Sequence, residues 1–356
     1  MNTEWIARVI ENIRACGLRQ IIVSCPASVC YLAGVWVEPF ERMLALYLRD
    51  DGTMKLYANR LFALQGLTDV PMTEYDDTDD CVDLVAADVR PGALGIDKTW
   101  PSHFTIRLME KRPDIRPVLG SRPVDDARMI KDAEEIALMR ISSQKNVTAC
   151  RRTAEALREG MTENDGQALY KRFAAETGAA GSSFQPLVCF GANGAEPHHA
   201  SDATRLRDGD AVILDVGLLW KRYCSDMTRT VLFGNAPDEL RKVHGIVSAA
   251  NRAGIAACRP GAPMKDFDRA ARKVIEDAGY GKYFIHRTGH GIGLEEHEFP
   301  DCSATSEIIA RPGMIFSIEP GIYLPGKFGV RVEDLVVITE DGCEVLTARE
   351  YSDENG

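Results

Sequence analysis

Several things this sequence lacks narrow its function before any motif is read. No two of its ten cysteines stand in a CxxC pair, which leaves neither a zinc ribbon nor a thioredoxin-like redox site in view. No apolar run approaches the 18 residues that a membrane span needs, so no membrane partner is expected. The opening residues, MNTEWIARVIENIRACG, carry acids early and have no long apolar core, so they do not read as a signal peptide. Trp5, Ile6, Val9, Ile10 and Ile13 instead mark one face of an amphipathic helix. Positive charge is in deficit: 42 Lys and Arg stand against 53 Asp and Glu, a net charge of −11. A nucleic-acid partner is therefore not expected, because binding phosphate needs clustered positive charge. With no secretion signal, the cysteines are expected to be reduced and mostly buried, and the protein cytoplasmic. There is no GxSxG elbow and no HExxH helix. Gly289, Gly291 and Gly293 are spaced GxGxG, not GxGxxG, and no Walker lysine follows, so a phosphate loop is not supported either.

What is present fits a two-domain globular chain. It has 356 residues, 45% of them hydrophobic and 27% charged. Residues 1–125 read as a compact α/β unit, with strands at QIIVS (20–24), MLALYL (43–48), MKLYA (54–58) and ALGID (93–97), and helical runs between them. Asp51-Gly52 marks a hairpin turn. No catalytic constellation is visible there, and KRPDIRPVLGSRPVDD reads as a linker. A second unit occupies 127–356. It opens on a helix with apolar positions at Ile130, Ile136, Met139 and Val147, ending near Gly160. Another helix starts at Thr162, where Thr162 and Asp165 form a capping-box pattern. A strand in FQPLVCF leads to a glycine-rich loop bearing His198 and His199. Helices follow across 238–258 and 264–278, and the terminal YSDENG reads as a frayed tail.

The chemistry concentrates in DAVILDVGLLWKRYCSDMTRTVLFG and in the stretch 286–334, which holds HRTGHGIGLEEHEFP and SIEPGIYLPGKFGVRVED. Two apolar runs, 211–219 and 227–233, flank the polar Lys221 and Arg222. A hairpin centred between Trp220 and Lys221 places Asp215 opposite Asp226, with Cβ atoms about 4.5–5.5 Å apart. Two bare carboxylates so placed repel, and a cation between them removes the penalty. Glu319 and Glu333 sit symmetrically about Gly326 in a second hairpin with the loop LPGKFG. Each carboxylate alone reads as a solvated turn or strand-end residue. Two acidic pairs together with His290 make a site for two metal ions. Two metals about 3.5–4 Å apart can bind one bridging water, lower its pKa and aim it as hydroxide at a carbonyl, which is metal-assisted amide hydrolysis. Glu319 is expected to move the proton from that water to the leaving nitrogen. His198 and His297, the latter seven residues past His290, are candidates to stabilise the oxyanion. His199 reads as a structural hydrogen-bonder. The Arg331 guanidinium can pair with a ligand carboxylate and fix its orientation.

The blocks ILDVG, CSDMTRT, GHGIG, SIEPGIY and GVRVED resemble, in order, the signature of the M24 metallopeptidase family, which comprises creatinase, aminopeptidase P, prolidase and methionine aminopeptidase. The similarity spans about residues 127–345. YLAGVWVEPFERMLAL and the 1–125 unit resemble the smaller N-terminal domain of the Xaa-Pro peptidase branch, which methionine aminopeptidases generally lack. The resemblance implies an α/β (α+β) protein: a C-terminal pita-bread fold preceded by an N-terminal creatinase-like α/β domain. It implies a dinuclear site of Asp215, Asp226, His290, Glu319 and Glu333, holding two divalent ions, manganese first and otherwise cobalt, zinc or iron. Glu319 is then the acid/base, His198 and His297 lie near the substrate, and His286, Tyr323 and Arg331 support the ligands or the bound peptide. The implied substrates are short peptides with proline second, cleaved as by an Xaa-Pro aminopeptidase or dipeptidase. The implied assembly is a homodimer in which one N-terminal domain closes over its partner's active site. One departure stands out. Dipeptidases of the family often carry an arginine shortly after HExP to bind the free carboxylate, whereas here HEFP is followed by Asp301. That favours an aminopeptidase-P-like enzyme acting on longer peptides. A creatinase-like hydrolase of a small non-peptide C–N bond and a non-catalytic binding protein are the alternatives. The intact set of five ligands weighs against both.

Overall fold

The computed structural model describes residues 2–347, and they form two compact units that divide between Arg128 and Met129. The YSDENG tail lies outside the described residues. No described helix is long and apolar enough to cross a membrane.

The first unit runs α1 (Thr3–Ala15), β1 (Gln20–Val23), α2 (Pro26–Ala33), β2 (Ala45–Arg49), β3 (Met54–Asn59), β4 (Met72–Tyr75), α3 (Cys81–Asp88), β5 (Gly92–Ile96), α4 (Ser102–Lys111), β6 (Ile115–Leu119) and α5 (Arg122–Arg128). Its strands make one six-stranded sheet in the order β4-β3-β2-β1-β5-β6. The β1/β2 and β2/β3 pairs are antiparallel and the outer pairs parallel. All four residues of β1 are buried, as an apolar strand covered on both faces must be. The Asn2 side chain accepts from the Glu4 and Trp5 amides and so caps α1, which buries Val9 and Ile13. The KRPDIRPVLGSRPVDD segment, expected to be a linker, instead forms β6 and the start of α5. Its prolines misled the expectation. Pro117 sits in an edge strand and Pro123 in the first turn of a helix, two places where a missing amide hydrogen costs little.

The second unit opens on α6 (Ala133–Ala156) and α7 (Glu163–Glu176), each started by a capping box, Asp132 with Glu135 and Thr162 with Asp165. Then come β7 (Gly181–Ser182), β8 (Leu187–Phe190), β9 (Ala211–Val216), β10 (Leu218–Trp220), β11 (Tyr223–Cys224) and β12 (Met227–Leu232). Helices α8 (Asp238–Ala257) and α9 (Met264–Asp277) follow. The chain ends in β13 (Gly289–Gly291), β14 (Glu298–Cys302), β15 (Ile315–Ile318), β16 (Gly321–Leu324), β17 (Phe328–Arg331), β18 (Asp334–Ile338) and β19 (Cys343–Val345). The α6/α7 pair buries Cys150, Tyr170 and Phe173 against Val188, Leu214 and Met227 of the β12-β9-β8 sheet. The α8/α9 pair buries Ile255 and Phe267 against Phe316, Ile318 and Val336 of the β14-β13-β15-β18-β19 sheet. Each such large apolar side chain contributes about 1.5–3 kcal/mol. The helices thus hold the two acidic hairpins from behind.

The first hairpin corrects an expectation. Trp220 pairs with Tyr223, so Lys221 and Arg222 are the two central residues of the turn, at φ 49° and 76°. Further along, Thr228 pairs with Asp215, and Asp226 does not face it. A two-residue turn with both φ values positive is usually announced by Asn-Gly, and Lys-Arg carries no such signal. The slip is two places in the pairing and therefore keeps Asp215 and Asp226 on one face of the ladder as diagonal neighbours. The second hairpin has the register its spacing predicts. Gly321 pairs with Arg331 and Ile318 with Asp334, so the ladder turns about Gly326 (φ 71°) and sets Glu319 level with Glu333.

Candidate metal centre

A cavity of about 460 Å³ in the second unit is lined by Asp215, Asp226, His290, Glu319, Glu333 and their neighbours. Asp226, His290 and Glu333 are all buried, and one donor atom of each lies within 4.8 Å of the others. The local backbone explains how His290 arrives there. A Cβ on Gly289 would lie 1.8 Å from the Ser317 carbonyl oxygen, so only glycine lets this strand press so closely on β15. The His290 amide donates to Ser317 Oγ at 3.0 Å, and that hydroxyl donates to Glu319 Oε1 at 3.2 Å. His290 Nδ1 lies 3.1 Å from the Gly291 carbonyl, which can only accept. Nδ1 therefore carries the proton, and the Nε2 lone pair faces the acids, 3.6 Å from Asp226 Oδ2 and 3.5 Å from Glu319 Oε1.

The electrostatics are those of a cage built for cations. Burial, then repulsion from the neighbouring carboxylates, pushes Asp226 and Glu333 well above the usual carboxylate range. Burial pushes Glu319 up to about 7, with Arg331 opposing and Asp215 adding to the rise. Burial, followed by the charge of its neighbours, lowers His290 to about 3, so its imidazole is neutral. Asp226 Oδ1 and Glu333 Oε1 are buried with no hydrogen-bond partner. An unsatisfied buried acceptor costs about 1–3 kcal/mol, and more when charged. Two orphaned carboxylate oxygens beside an imidazole lone pair fit divalent cations. Asp215, Asp226, His290, Glu319 and Glu333 are the residues that could hold two of them, by oxygen ligands that suit manganese and an imidazole that also suits cobalt, zinc or iron.

Behind these acids, Arg331 organises a buried hydrogen-bond chain. It pairs with the Asp215 carboxylate, donates from Nε to Thr228 Oγ1 at 3.0 Å, and from Nη1 to the Tyr323 hydroxyl at 3.0 Å. Thr228 Oγ1 donates in turn to Glu333 Oε2 at 2.6 Å. His286 Nδ1 donates to the Arg287 carbonyl at 2.7 Å, which leaves Nε2 to accept from the Tyr323 hydroxyl at 2.9 Å. Burial, then the charge of Arg331, lowers His286 to about 4 and keeps it a neutral acceptor. One guanidinium thus orients Asp215 directly and Glu333 through Thr228.

The remaining candidates fall in different places. His198 is exposed on the cavity wall. The His297 ring centroid is 4.0 Å from that of His290, and burial lowers its pKa. His199 turns instead to the buried Glu163, whose carboxylate also accepts from the Phe190 and Asp202 amides, so its role is structural. Thr228, Ser317, Glu296 and Arg287 were missed in the sequence. Thr228 follows Asp226 by the two-residue step that keeps one face, and Ser317 precedes Glu319 by the same step. Glu296 lines the cavity beside His297, and burial pushes its carboxyl up to about 7.

Comparison with known proteins identifies the family and the fold. Residues 137–340 match metallopeptidase family M24, and residues 6–130 match the Creatinase/Prolidase N-terminal domain. An uncharacterised peptidase of Staphylococcus aureus is 33% identical over 350 residues, 96% of this chain and 98% of that protein. Among solved structures, a prolidase from Thermococcus sibiricus superposes with a TM-score of 0.93 at 32% identity, covering 98% of this chain and 97% of that one. A dipeptidase from Pyrococcus horikoshii gives 0.92 at 32% identity, with 98% and 99% covered. An X-Pro aminopeptidase from Thermotoga maritima gives 0.80 at 30% identity, with 95% and 97% covered. The second unit has the pita-bread fold and the first is a creatinase-like domain. The chain is a peptidase and belongs to metallopeptidase family M24.

Proposed function

We propose that this protein is a metal-dependent exopeptidase that hydrolyses the N-terminal Xaa-Pro bond of short peptides. The observation that carries this reading is the pair of unpartnered buried oxygens, Asp226 Oδ1 and Glu333 Oε1, beside His290, whose Nε2 faces Asp226 and Glu319. Proline at the second position is supported by similarity to a prolidase and an X-Pro aminopeptidase. Asp215, Asp226, His290, Glu319 and Glu333 are the proposed ligands of two divalent ions, with manganese as the working metal. When bound, such ions supply an acidified water and polarise the scissile carbonyl.

The chain's own residues do the rest. Glu319, on the cavity wall among the proposed ligands, takes the proton from the attacking water and delivers it to the leaving proline nitrogen. His297, beside His290, and His198 on the cavity wall offer ring N–H groups to the carbonyl oxygen as negative charge develops on it. Arg331, Tyr323 and His286 hold the acids in place from behind. The ten cysteines form no disulfide among the described residues and are mostly buried, which supports a reducing, cytoplasmic setting. A homodimer is proposed from the family resemblance.

The test is a matched set of Ala-Pro, Ala-Pro-Ala, Ala-Ala-Ala and Met-Ala-Ala, assayed after chelation and again after manganese is restored. Metal-dependent cleavage confined to the proline peptides is expected. Equal cleavage of Ala-Ala-Ala, or none of any peptide, contradicts the proposal.

A further inference from the structure

The His297 ring is offered to the reacting carbonyl, yet 58% of its side chain is exposed. It lies 4.0 Å from the His290 ring between centroids, and its Nε2 is 3.5 Å from Glu296 Oε1. A side chain so little enclosed takes its position from its backbone. What holds the turn 293–298 therefore decides where Glu296 and His297 enter the cavity.

That turn is tied from behind. The Cys224 amide donates to the Gly293 carbonyl at 2.8 Å, and the Gly293 amide donates to the Glu295 carbonyl at 3.0 Å. Glu298, the residue after His297, folds its side chain back under the turn. Its Oε1 accepts from the Glu295 amide at 3.1 Å, and only 4% of the side chain is exposed. A Cβ on Gly293 would lie 2.8 Å from both carboxylate oxygens, so the carboxylate is pressed against that glycine. Against Oε2 stands Lys131, whose Nζ donates to it at 3.1 Å with 1% of the lysine side chain exposed.

Lys131 stands on a fixed base. Its amide donates to the Gly313 carbonyl at 2.9 Å, and its neighbour Ile130 bridges to Met314. Met314 leads directly into β15, the strand whose Ser317 hydroxyl holds the His290 amide. Glu135, a second buried acid that feels the charge of Lys131, is already satisfied. It accepts from the Asp132 amide and from the Tyr223 hydroxyl, both at 2.9 Å. Among the described residues the Lys131 ammonium makes one hydrogen bond, and it goes to Glu298. A buried ion pair adds little stability over an apolar pair of the same size, and its best attested use is to fix one arrangement of the chain.

We propose that Lys131 is a positioning residue, which acts through the buried Glu298 carboxylate to fix the turn that presents His297 to the substrate carbonyl. The inference rests on the proposed hydrolysis and on the part given there to His297. Without the ammonium, the Glu298 carboxylate is an unpaired buried charge and must turn towards water, and the residue before it moves with it. None of the five proposed metal ligands lies in the turn, so the metals stay.

The test combines kinetics of the manganese-loaded enzyme on Ala-Pro and Ala-Pro-Ala with its manganese content. Lys131→Met should lower kcat by about ten- to a hundredfold, the loss that a displacement of about 1 Å produces, and keep the manganese of the wild type. Glu298→Gln should also lower kcat, and adding Lys131→Met to it should change kcat by less than about twofold more, because the two act as one unit. Lys131→Met added to His297→Ala should likewise change kcat by less than about twofold, since the group it positions is gone. A general loss of structure would instead multiply with the His297→Ala loss, and that result overturns the inference. So does a Lys131→Met variant within about twofold of wild type, or a kcat that falls in step with manganese content. If Lys131→Met does not fold, Glu298→Gln in the His297→Ala background carries the same test. A His297→Ala variant with wild-type kcat overturns the inference and leaves the hydrolysis standing. A wild type that cleaves neither peptide overturns both.

Discussion

Glu319 stands where the β15–β18 ladder hands over to the β16–β17 hairpin, with a carboxyl that burial lifts to about 7. That value belongs to the metal-free protein; with cations bound Glu319 is an ionised carboxylate, placed to take a proton from the attacking water and return it, which is what an acid/base in amide hydrolysis needs. Glu319→Gln keeps the shape and removes the titration. Its kcat on Ala-Pro is expected to fall by about 10²–10⁴, with the circular dichroism spectrum unchanged. Turnover within a few-fold of wild type would contradict the role. At this scale the acids were legible because a carboxylate inside an apolar strand is conspicuous. Their partners were not. A threonine or a serine in a strand reads as ordinary strand composition, and only the fold shows that the Thr228 hydroxyl bridges Arg331 to Glu333.

At the scale of elements, the site is two antiparallel ladders locked edge to edge. The Glu333 amide donates to the Thr228 carbonyl at 3.1 Å, and the Glu319 amide to the Thr288 carbonyl at 2.7 Å. Close approach of backbones is the price of this arrangement, and Gly289 against Ser317, like Gly329 against Gly194, is a point where no Cβ fits. Gly289→Ala must push β13 away from Ser317 and carry His290 with it. Overpacking of this kind costs about 1–3 kcal/mol or more. A lower Tm together with weaker metal binding is expected, and a melting curve equal to wild type would refute the packing argument. The second hairpin was readable because a Gly/Pro-rich loop marks its centre. The first was misjudged by one residue at its centre because Lys221 and Arg222 adopt positive φ without the usual turn residues. Face parity survived the error, which is why the pairing of Asp215 and Asp226 into one site was still visible. The Pro-containing segment before α6 was misjudged for the opposite reason: prolines at an edge strand and a helix start look like loop punctuation.

For the whole molecule, a net charge of −11 and a cavity walled by acids describe a protein that gathers cations. Two-unit organisation was legible from the change of pattern near Ala127. The depth of the site was not, because burial is a property of the assembled sheets. That burial sets the pH behaviour. In the metal-free protein Asp226, Glu319 and Glu333 all bind their protons more tightly than in the unfolded chain. The folded state therefore holds more protons than the unfolded one above the ordinary carboxylate range, and metal-free stability falls as pH rises through about 7. Divalent ions must displace those protons, so metal affinity should increase with pH over the same interval. Calorimetric titration of manganese into the chelated protein at pH 6.5, in two buffers of different ionisation enthalpy, tests the paired acidic hairpins most directly. Two ions bound per chain with net proton release is the predicted result, and a single ion, no ion, or binding without proton release would contradict it.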